Sequence, residues 1–338
     1  MRFRVRPAIP DDFEAIYEMA KLTGGGFTNL PADKGTLVSK LSRSEAAFSK
    51  AEEAQGNDCY LFVLEDPQAG LIRGTCQVFG QVGVTQAFYS YHIGTLTQWS
   101  PELGKTFRNQ MLTLTTDLEG SSEVGGLFLH PAMRAGGLGL LLARSRYLFI
   151  KGHRERFGDR VLAELRGVMD EAGNSPFWDA LAGKFFDMSF PDADQFNAMH
   201  GTQFIADLMP RTPIYVSLLP DSARAVMGHP QPTGRAALRM LEHEGFTCDR
   251  YVDIFDGGPT VIAPTDRICT VADATQQKVT EIGPAGKQKV LLASGRLKSF
   301  RACLGQVTKL ARKGLVIDRD TADLLEVDVG DTVLTVAR

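Results

Sequence analysis

A basic excess is missing from this chain of 338 residues. Its 37 Lys and Arg face 40 Asp and Glu, a formal net charge of −3. Proteins that hold nucleic acid through its phosphates carry a surplus of Lys and Arg, so no nucleic-acid partner is expected. Long apolar runs are missing as well. No stretch approaches the roughly 20 apolar residues that cross a bilayer. The opening Met1-Arg2-Phe3-Arg4-Val5-Arg6-Pro7 leads into no apolar segment. Neither a membrane partner nor a signal peptide is therefore expected. The cysteines, Cys59, Cys76, Cys248, Cys269 and Cys303, are odd in number and form no Cys-x-x-Cys pair. Reduced, mostly buried thiols in the cytoplasm are the expectation. His92, His130, His153, His200, His229 and His243 show no metal-ligand spacing, and no metal is expected.

Apolar residues make up 43% of the chain, enough for a sizeable core without metals or disulfides. The length suits two domains better than one. The pattern predicts a strand at 3–6, a helix from Asp11 or Asp12 to about Leu22 that stops at Gly24-Gly25-Gly26, and a second helix over 33–54. Strands at 60–65 and 71–80 flank the turn Asp66-Pro67-Gln68-Ala69-Gly70. Residues 87–97 read as extended, and 105–120 fit no single pattern. Val124-Gly125-Gly126-Leu127-Phe128-Leu129 reads as a buried strand. Its two glycines suggest close approach of another backbone or a ligand. A long helix covers 140–153, a strand 160–166, a short helix starts at Pro176, and an amphipathic helix spans 235–244. Tyr251–Phe255 reads as a strand, and beyond 261 short strands and turns follow.

Between the strand 124–129 and the helix after it lies Arg134-Ala135-Gly136-Gly137-Leu138-Gly139. The first amides of a helix have no intrahelical partner and can bind an anion. Gly136, Gly137 and Gly139 put no Cβ in the way of a phosphate, and Arg134 adds charge. No Gly-Lys-Ser/Thr follows, so this is not a nucleotide-kinase loop, and the glycines lack the dinucleotide spacing. The arrangement suits the pyrophosphate of coenzyme A. A backbone N–H near Leu127 could then stabilise a thioester oxygen as it becomes an oxyanion.

Arg134-x-x-Gly137-x-Gly139 also resembles the signature of the GNAT-type acyltransferase superfamily. More specifically, the chain resembles the bacterial arginine N-succinyltransferases along nearly its whole length. The resemblance is carried by Thr23-Gly24-Gly25-Gly26, Phe62-Val63-Leu64-Glu65-Asp66, Gly120-Ser121-Ser122-Glu123, Leu127-Phe128-Leu129, Glu164-x-Arg166-Gly167 and Ser175-Pro176-Phe177-Trp178. Asp207-Leu208-Met209-Pro210, Glu244-Gly245-Phe246 and, most specifically, Tyr251-Val252-Asp253-Ile254-Phe255-Asp256-Gly257-Gly258-Pro259-Thr260 extend it. It implies an α/β GNAT-like acyl-CoA N-acyltransferase fold with a mixed sheet and an additional C-terminal β-rich region. The expected division is a transferase domain at 1–190, an α/β segment completing the active site at 191–260, and a β-rich region at 261–338.

The resemblance implies succinyl-CoA as acyl donor, with no permanently bound cofactor, and the α-amino group of L-arginine as acceptor. A homo-oligomer, or a heteromer with a paralogous subunit, is implied as well. A related acyltransferase acting on ornithine or another amine, or a non-catalytic acyl-CoA-binding subunit, are the alternatives. The family places a succinyl-CoA contact at Leu127 and a proton-transferring histidine in a His-Pro pair. Here the loop reads Gly228-His229-Pro230-Gln231-Pro232. His229 takes that role if the His-Pro pair is matched, and Gln231 if the loop is counted back from Gly245-Phe246. Histidine suits the step because its reference pKa of about 6.5 lets it take a proton from an ammonium near neutral pH. Glu123, Glu164, Asp253 and Asp256 are the candidate carboxylates for the guanidinium. Arg166 or Arg211 could hold the free succinyl carboxylate. Ser121 and Ser122 could bind the acyl group or cap a turn. Cys59 and Cys76 read as core residues.

Overall fold

The computed structural model describes residues 2–23, 29–134, 136–201, 203–284, 286, 288–310 and 314–338. The expected helix stop at Gly24-Gly25-Gly26, Ala135 and the His200 side chain lie outside the described residues. The strands are β1 (Arg4–Pro7), β2 (Cys59–Asp66), β3 (Leu71–Phe79), β4 (Ser90–Ser100), β5 (Lys105–Thr115), β6 (Ser122–Leu129), β7 (Arg160–Glu164), β8 (Ile214–Tyr215), β9 (Thr247–Val252), β10 (Pro259–Pro264), β11 (Thr275–Ile282), β12 (Gln288–Ser294), β13 (Arg301–Leu310), β14 (Gly314–Ile317) and β15 (Thr332–Ala337). Contacts divide the chain into two units, each discontinuous in sequence. The first is Met1–Gly80, Ser122–Asp159 and Pro264–Arg338, and the second is Gln81–Ser121 and Arg160–Ala263. No helix among the described residues is long and apolar enough to cross a membrane.

In the first unit β6, β3, β2, β1 and β13 lie side by side. Side chains along β2 alternate between the two faces of that sheet. Leu61 and Val63 pack with Ile16 and Met19 of helix Phe13–Lys21 and with Leu37 and Leu41 of helix Lys34–Ser49. Tyr60 and Phe62 meet Phe149 of helix Leu138–Gly152 at 5.0 and 5.1 Å between ring centroids. Beyond β13 the sheet closes on itself as β13-β12-β15-β11-β14-β13. Val279, Leu292, Val307, Leu315 and Val333 fill this barrel. Helices Cys269–Asp273 and Arg319–Leu325 accompany it, where only strands and turns were expected. They are short, and their periodicity covers too few turns to stand out.

Helix Lys34–Ser49 starts where Asp33 accepts the Thr36 N–H, as an N-cap does. It ends five residues before the expected 54, because Lys50 turns extended and gives its carbonyl to the buried Arg156 guanidinium at 2.7 Å. Glu53 sits in the segment that follows. Burial would raise the Glu53 carboxyl, but hydrogen bonds from Arg156, Arg296 and His153 outweigh it and hold the group at about 2, against an ordinary 4.5. A carboxyl depressed in the folded state stabilises fully above its unfolded value and loses that contribution as the pH falls through the folded one. Acid unfolding followed by circular dichroism should therefore show a stability decline between pH 4.5 and about 2 that is markedly reduced in Glu53→Gln. An unchanged decline would mean other carboxyls control it.

The second unit has the strand order β7-β10-β9-β4-β5-β8. Residues 105–120, unassigned by pattern, supply β5, which pairs with β4 from Ser90↔Thr115 to Ser100↔Lys105. Tyr91, Phe177, Trp178, Phe190, Val252 and Ile254 form the core. Trp178 stacks on Phe255 with the ring planes 10° apart and gives its indole N–H to the Met188 carbonyl at 2.9 Å. The strand expected at Tyr251–Phe255 is instead β9, ending at Val252. The chain turns there because Asp253 Oδ1 accepts the N–H groups of Phe255 and Asp256 at 2.7 and 2.9 Å. That local bonding competes with the strand.

Candidate active site

The first unit carries a β-bulge in β6. Thr75 pairs with Phe128 and Gln77 with Gly125, so Cys76 alone opposes both Gly126 and Leu127. Gly126 has φ +56°, and a Cβ there would stand 2.0 Å from Gln77 Nε2. Only glycine fits both the left-handed backbone and that contact. The close approach expected at the two glycines is thus made by side chains of the same unit, Gln77 and Asn29. The bulge is pinned from two sides. Arg146, buried on helix Leu138–Gly152, donates to the Gly125 carbonyl at 3.3 Å. Thr75 Oγ1 donates to the Gly126 carbonyl at 3.1 Å. A bulge redirects the backbone that follows it, and here that backbone belongs to Leu127.

After β6 the chain passes the exposed Arg134 and enters a glycine turn, with Gly136 at φ +71° and Gly137 at φ +85°. Helix Leu138–Gly152 begins there, with Gly137 as its N-cap and Gly139 in its first turn. The first amides and the positive dipole end of a helix of this length can hold an anion. Arg338 also reaches this turn: its Nη2 donates to the Gly136 carbonyl at 3.3 Å. A Cβ on Gly137 would lie 2.5 Å from that nitrogen. Nothing local in the sequence signals Arg338, because it comes from beyond β15, 202 positions away. Gly137→Ala should lose about 1–2 kcal/mol through the left-handed backbone alone and raise the KM for an acyl-CoA with little change in kcat. Steady-state kinetics and thermal unfolding of the variant check both.

The second unit gathers a different set. Gly228 N donates to the Gly257 carbonyl and Gln231 N to the Arg166 carbonyl, each at 2.8 Å. Gln231 Oε1 accepts the Met169 N–H at 3.0 Å. The loop 228–231 is thereby fastened to Arg166–Met169 and to Gly257. The Gln231 side chain is committed to that fastening. His229 is exposed, and among the described residues its imidazole takes no part in any hydrogen bond. Beside the loop, Asp256 accepts the N–H groups of Gly167 and Gly258, both at 2.8 Å. Burial, with the charge of Asp253 adding, pushes the Asp256 carboxyl up to about 8 against those two donors. Burial also raises Asp253. Arg166 lies 3.8 Å from Asp194 and over the Phe190 ring at 5.3 Å.

Of the four candidate guanidinium carboxylates, Glu164, Asp253 and Asp256 belong to this second unit, and Glu123 to the first. Glu164 accepts from Thr260 Oγ1 at 3.4 Å. Asp194 escaped the sequence reading because its approach to Arg166 is made by folding. Arg211 is exposed. Ser122 uses its hydroxyl internally, donating to the Gly80 carbonyl at 2.5 Å and accepting the Gly158 N–H at 2.9 Å. Ser121 Oγ is buried without a partner among the described residues. Burial raises the thiols of Cys59 and Cys76, the latter to about 12, which keeps both protonated core residues. Among the described residues, no three His, Cys, Asp or Glu side chains gather as a metal site.

A bulged strand leading through a left-handed glycine turn into a helix N-terminus, in an α/β core with a closed C-terminal barrel, is the arrangement of an acyl-CoA-dependent N-acyltransferase with a GNAT-like fold, the class to which its relatives assign the chain. The family described as arginine N-succinyltransferase beta subunit matches residues 3–270, and the C-terminal domain of that subunit matches 267–337. The chain belongs to this family. It is 40% identical to the arginine N-succinyltransferase subunit beta of Pseudomonas aeruginosa, over 98% of this chain and 97% of that one. It is 39% identical to an arginine N-succinyltransferase of an Enterobacter species, over 97% and 96%. The solved structure of arginine/ornithine succinyltransferase subunit AI from Pseudomonas aeruginosa superposes with a TM-score of 0.91 at 32% identity, covering 99% of this chain and 98% of that one.

Proposed function

We propose that the chain transfers the succinyl group of succinyl-CoA to the α-amino group of L-arginine, giving N2-succinyl-arginine and coenzyme A. The observation that carries this reading is the membership of the whole chain in the arginine N-succinyltransferase family. The donor side rests on the first unit. The pyrophosphate takes the helix start at Gly136, Gly137 and Gly139, beside Arg134 and Arg338, and the thioester carbonyl takes a backbone N–H near Leu127. The acceptor side rests on the second unit. His229 removes the proton of the arginine ammonium, directly or through a water. The free amine adds to the thioester carbon, the oxyanion collapses, and the thiolate leaves and is protonated. Neither a metal nor a covalent enzyme intermediate enters these steps.

Asp256 has both oxygens engaged by backbone N–H groups, so its part is to hold the turn. Glu164, and Asp253 through the oxygen that does not hold the turn, are the proposed guanidinium partners in that unit. The chain works in the cytoplasm, and a related subunit is its proposed partner, as the names of two relatives suggest for those proteins. The test is thiol release by the purified chain, with succinyl-CoA and acetyl-CoA crossed against arginine and ornithine. Succinyl-CoA with arginine should be the best pair. No turnover, alone or with a paralogous subunit added, contradicts the proposal.

A further inference from the structure

Helix Lys34–Ser49 brings a half-buried cation, Lys40, to β3, the strand that pairs with the bulged one. Lys40 Nζ donates to the Asn29 carbonyl at 2.5 Å and lies 5.9 Å from the centre of the Phe79 ring. Gln77 Nε2 donates to the same carbonyl. Asn29 Nδ2 in turn donates to Glu123 Oε1 at 3.3 Å. A Cβ on Gly125 would stand 2.5 Å from Asn29 Nδ2, and one on Gly126 2.0 Å from Gln77 Nε2. Lys40, Asn29 and Gln77 therefore form one line of contacts that ends on the backbone of Gly125 and Gly126, directly before Leu127.

The ammonium has donors to spare. It carries three donors, and among the described residues it makes one hydrogen bond and has no carboxylate within 4 Å. Glu123 acts on it only from farther away, while burial lowers its pKa. A half-buried cation with spare donors is stabilised by an anion that arrives with its own charge. A succinyl group supplies one. Its free carboxylate carbon lies three carbon–carbon bonds from the thioester carbon, a reach of roughly 4 Å. Arg166 is drawn to Asp194, and Arg211 is exposed, whereas Lys40 shares the unit and the contact line of the bulge.

We propose that Lys40, steadied by Asn29 and Gln77, binds the terminal carboxylate of the acyl group and so selects succinyl over neutral acyl donors. The proposal rests on the reading of the bulge as the thioester site.

The test compares wild type with Lys40→Met, Lys40→Gln and Lys40→Arg at saturating arginine. The donors are succinyl-CoA and butyryl-CoA, which matches its length without the charge. Lys40→Met and Lys40→Gln should lose roughly 30- to 1,000-fold in kcat/KM for succinyl-CoA and keep or gain activity with butyryl-CoA. Lys40→Arg should retain the wild-type preference, and inhibition by free coenzyme A should not change. Two neutral substitutions of different polarity guard against one variant failing to fold. A wild type that prefers succinyl-CoA, with neutral variants that keep the preference or lose both donors equally, overturns the role of Lys40 alone. A wild type that does not prefer succinyl-CoA overturns this role together with the proposed donor.

Discussion

His229→Ala is expected to lower succinyl transfer by about 10²- to 10⁴-fold at saturating donor and acceptor, the usual worth of a positioned general base. The reaction needs an uncharged amine, and near neutral pH the acceptor is an ammonium. The histidine stands on a loop anchored at Gly228 and Gln231, with its imidazole exposed and uncommitted. Affinity for coenzyme A should stay near the wild-type value, because the pyrophosphate seat proposed at Gly136–Gly139 lies elsewhere in the chain. Gln231→Ala should behave differently. It leaves the Met169 N–H without its acceptor, a loss of about 1–3 kcal/mol, and moves the loop rather than removing the base. Its defect should appear in thermal stability and only modestly in kcat. Thiol-release kinetics and unfolding curves of both variants separate the roles, and unchanged turnover in His229→Ala would remove the histidine from the mechanism.

The second large effect concerns folding. Arg156 has a fully buried side chain, and its guanidinium is held by Glu53 at 2.8 Å, the Tyr60 hydroxyl at 3.1 Å and the Lys50 carbonyl at 2.7 Å. Glu53 also takes His153 Nδ1 at 3.0 Å and Arg296 at 2.7 Å. Glu53→Ala leaves a buried cation without its counter-charge. Breaking a pair of that kind costs about 3–5 kcal/mol, a large part of the stability of an ordinary domain. Chemical denaturation should show this loss with little change in KM for either substrate in whatever fraction remains folded. A loss below about 1 kcal/mol would put the pair among the exposed ion pairs instead.

Strand β2, the hairpin into β3 and the helix from Asp12 could be read from alternation, turn residues and helical spacing, because each is fixed by neighbours in the chain. The second helix showed where the limit lies. Its pattern ran to 54, and only the distant Arg156 explains why it stops at Ser49. β5 carried too mixed a pattern until its pairing with β4 supplied the missing context. At the site, the glycines at 136, 137 and 139 were legible, because they crowd into one short stretch between a strand and a helix. The contacts of Arg338 with that turn, of Asp194 with Arg166 and of Lys40 with Asn29 were not, since the residues in the first two pairs are far apart and nothing in periodicity couples the third.

By itself the sequence carried the class of chemistry, through a glycine turn between a strand and a helix and a resemblance to one acyltransferase family along nearly the whole chain. Those features depend on residue type and local spacing, which the chain carries directly. Only the tertiary structure decided that β6 is bulged at Gly126, that Gln231 is committed while His229 is left open, and that a lysine stands beside the bulge. Each of these depends on which side chains fold into contact across the sheet or the loop, a matter of three-dimensional packing that no local pattern records.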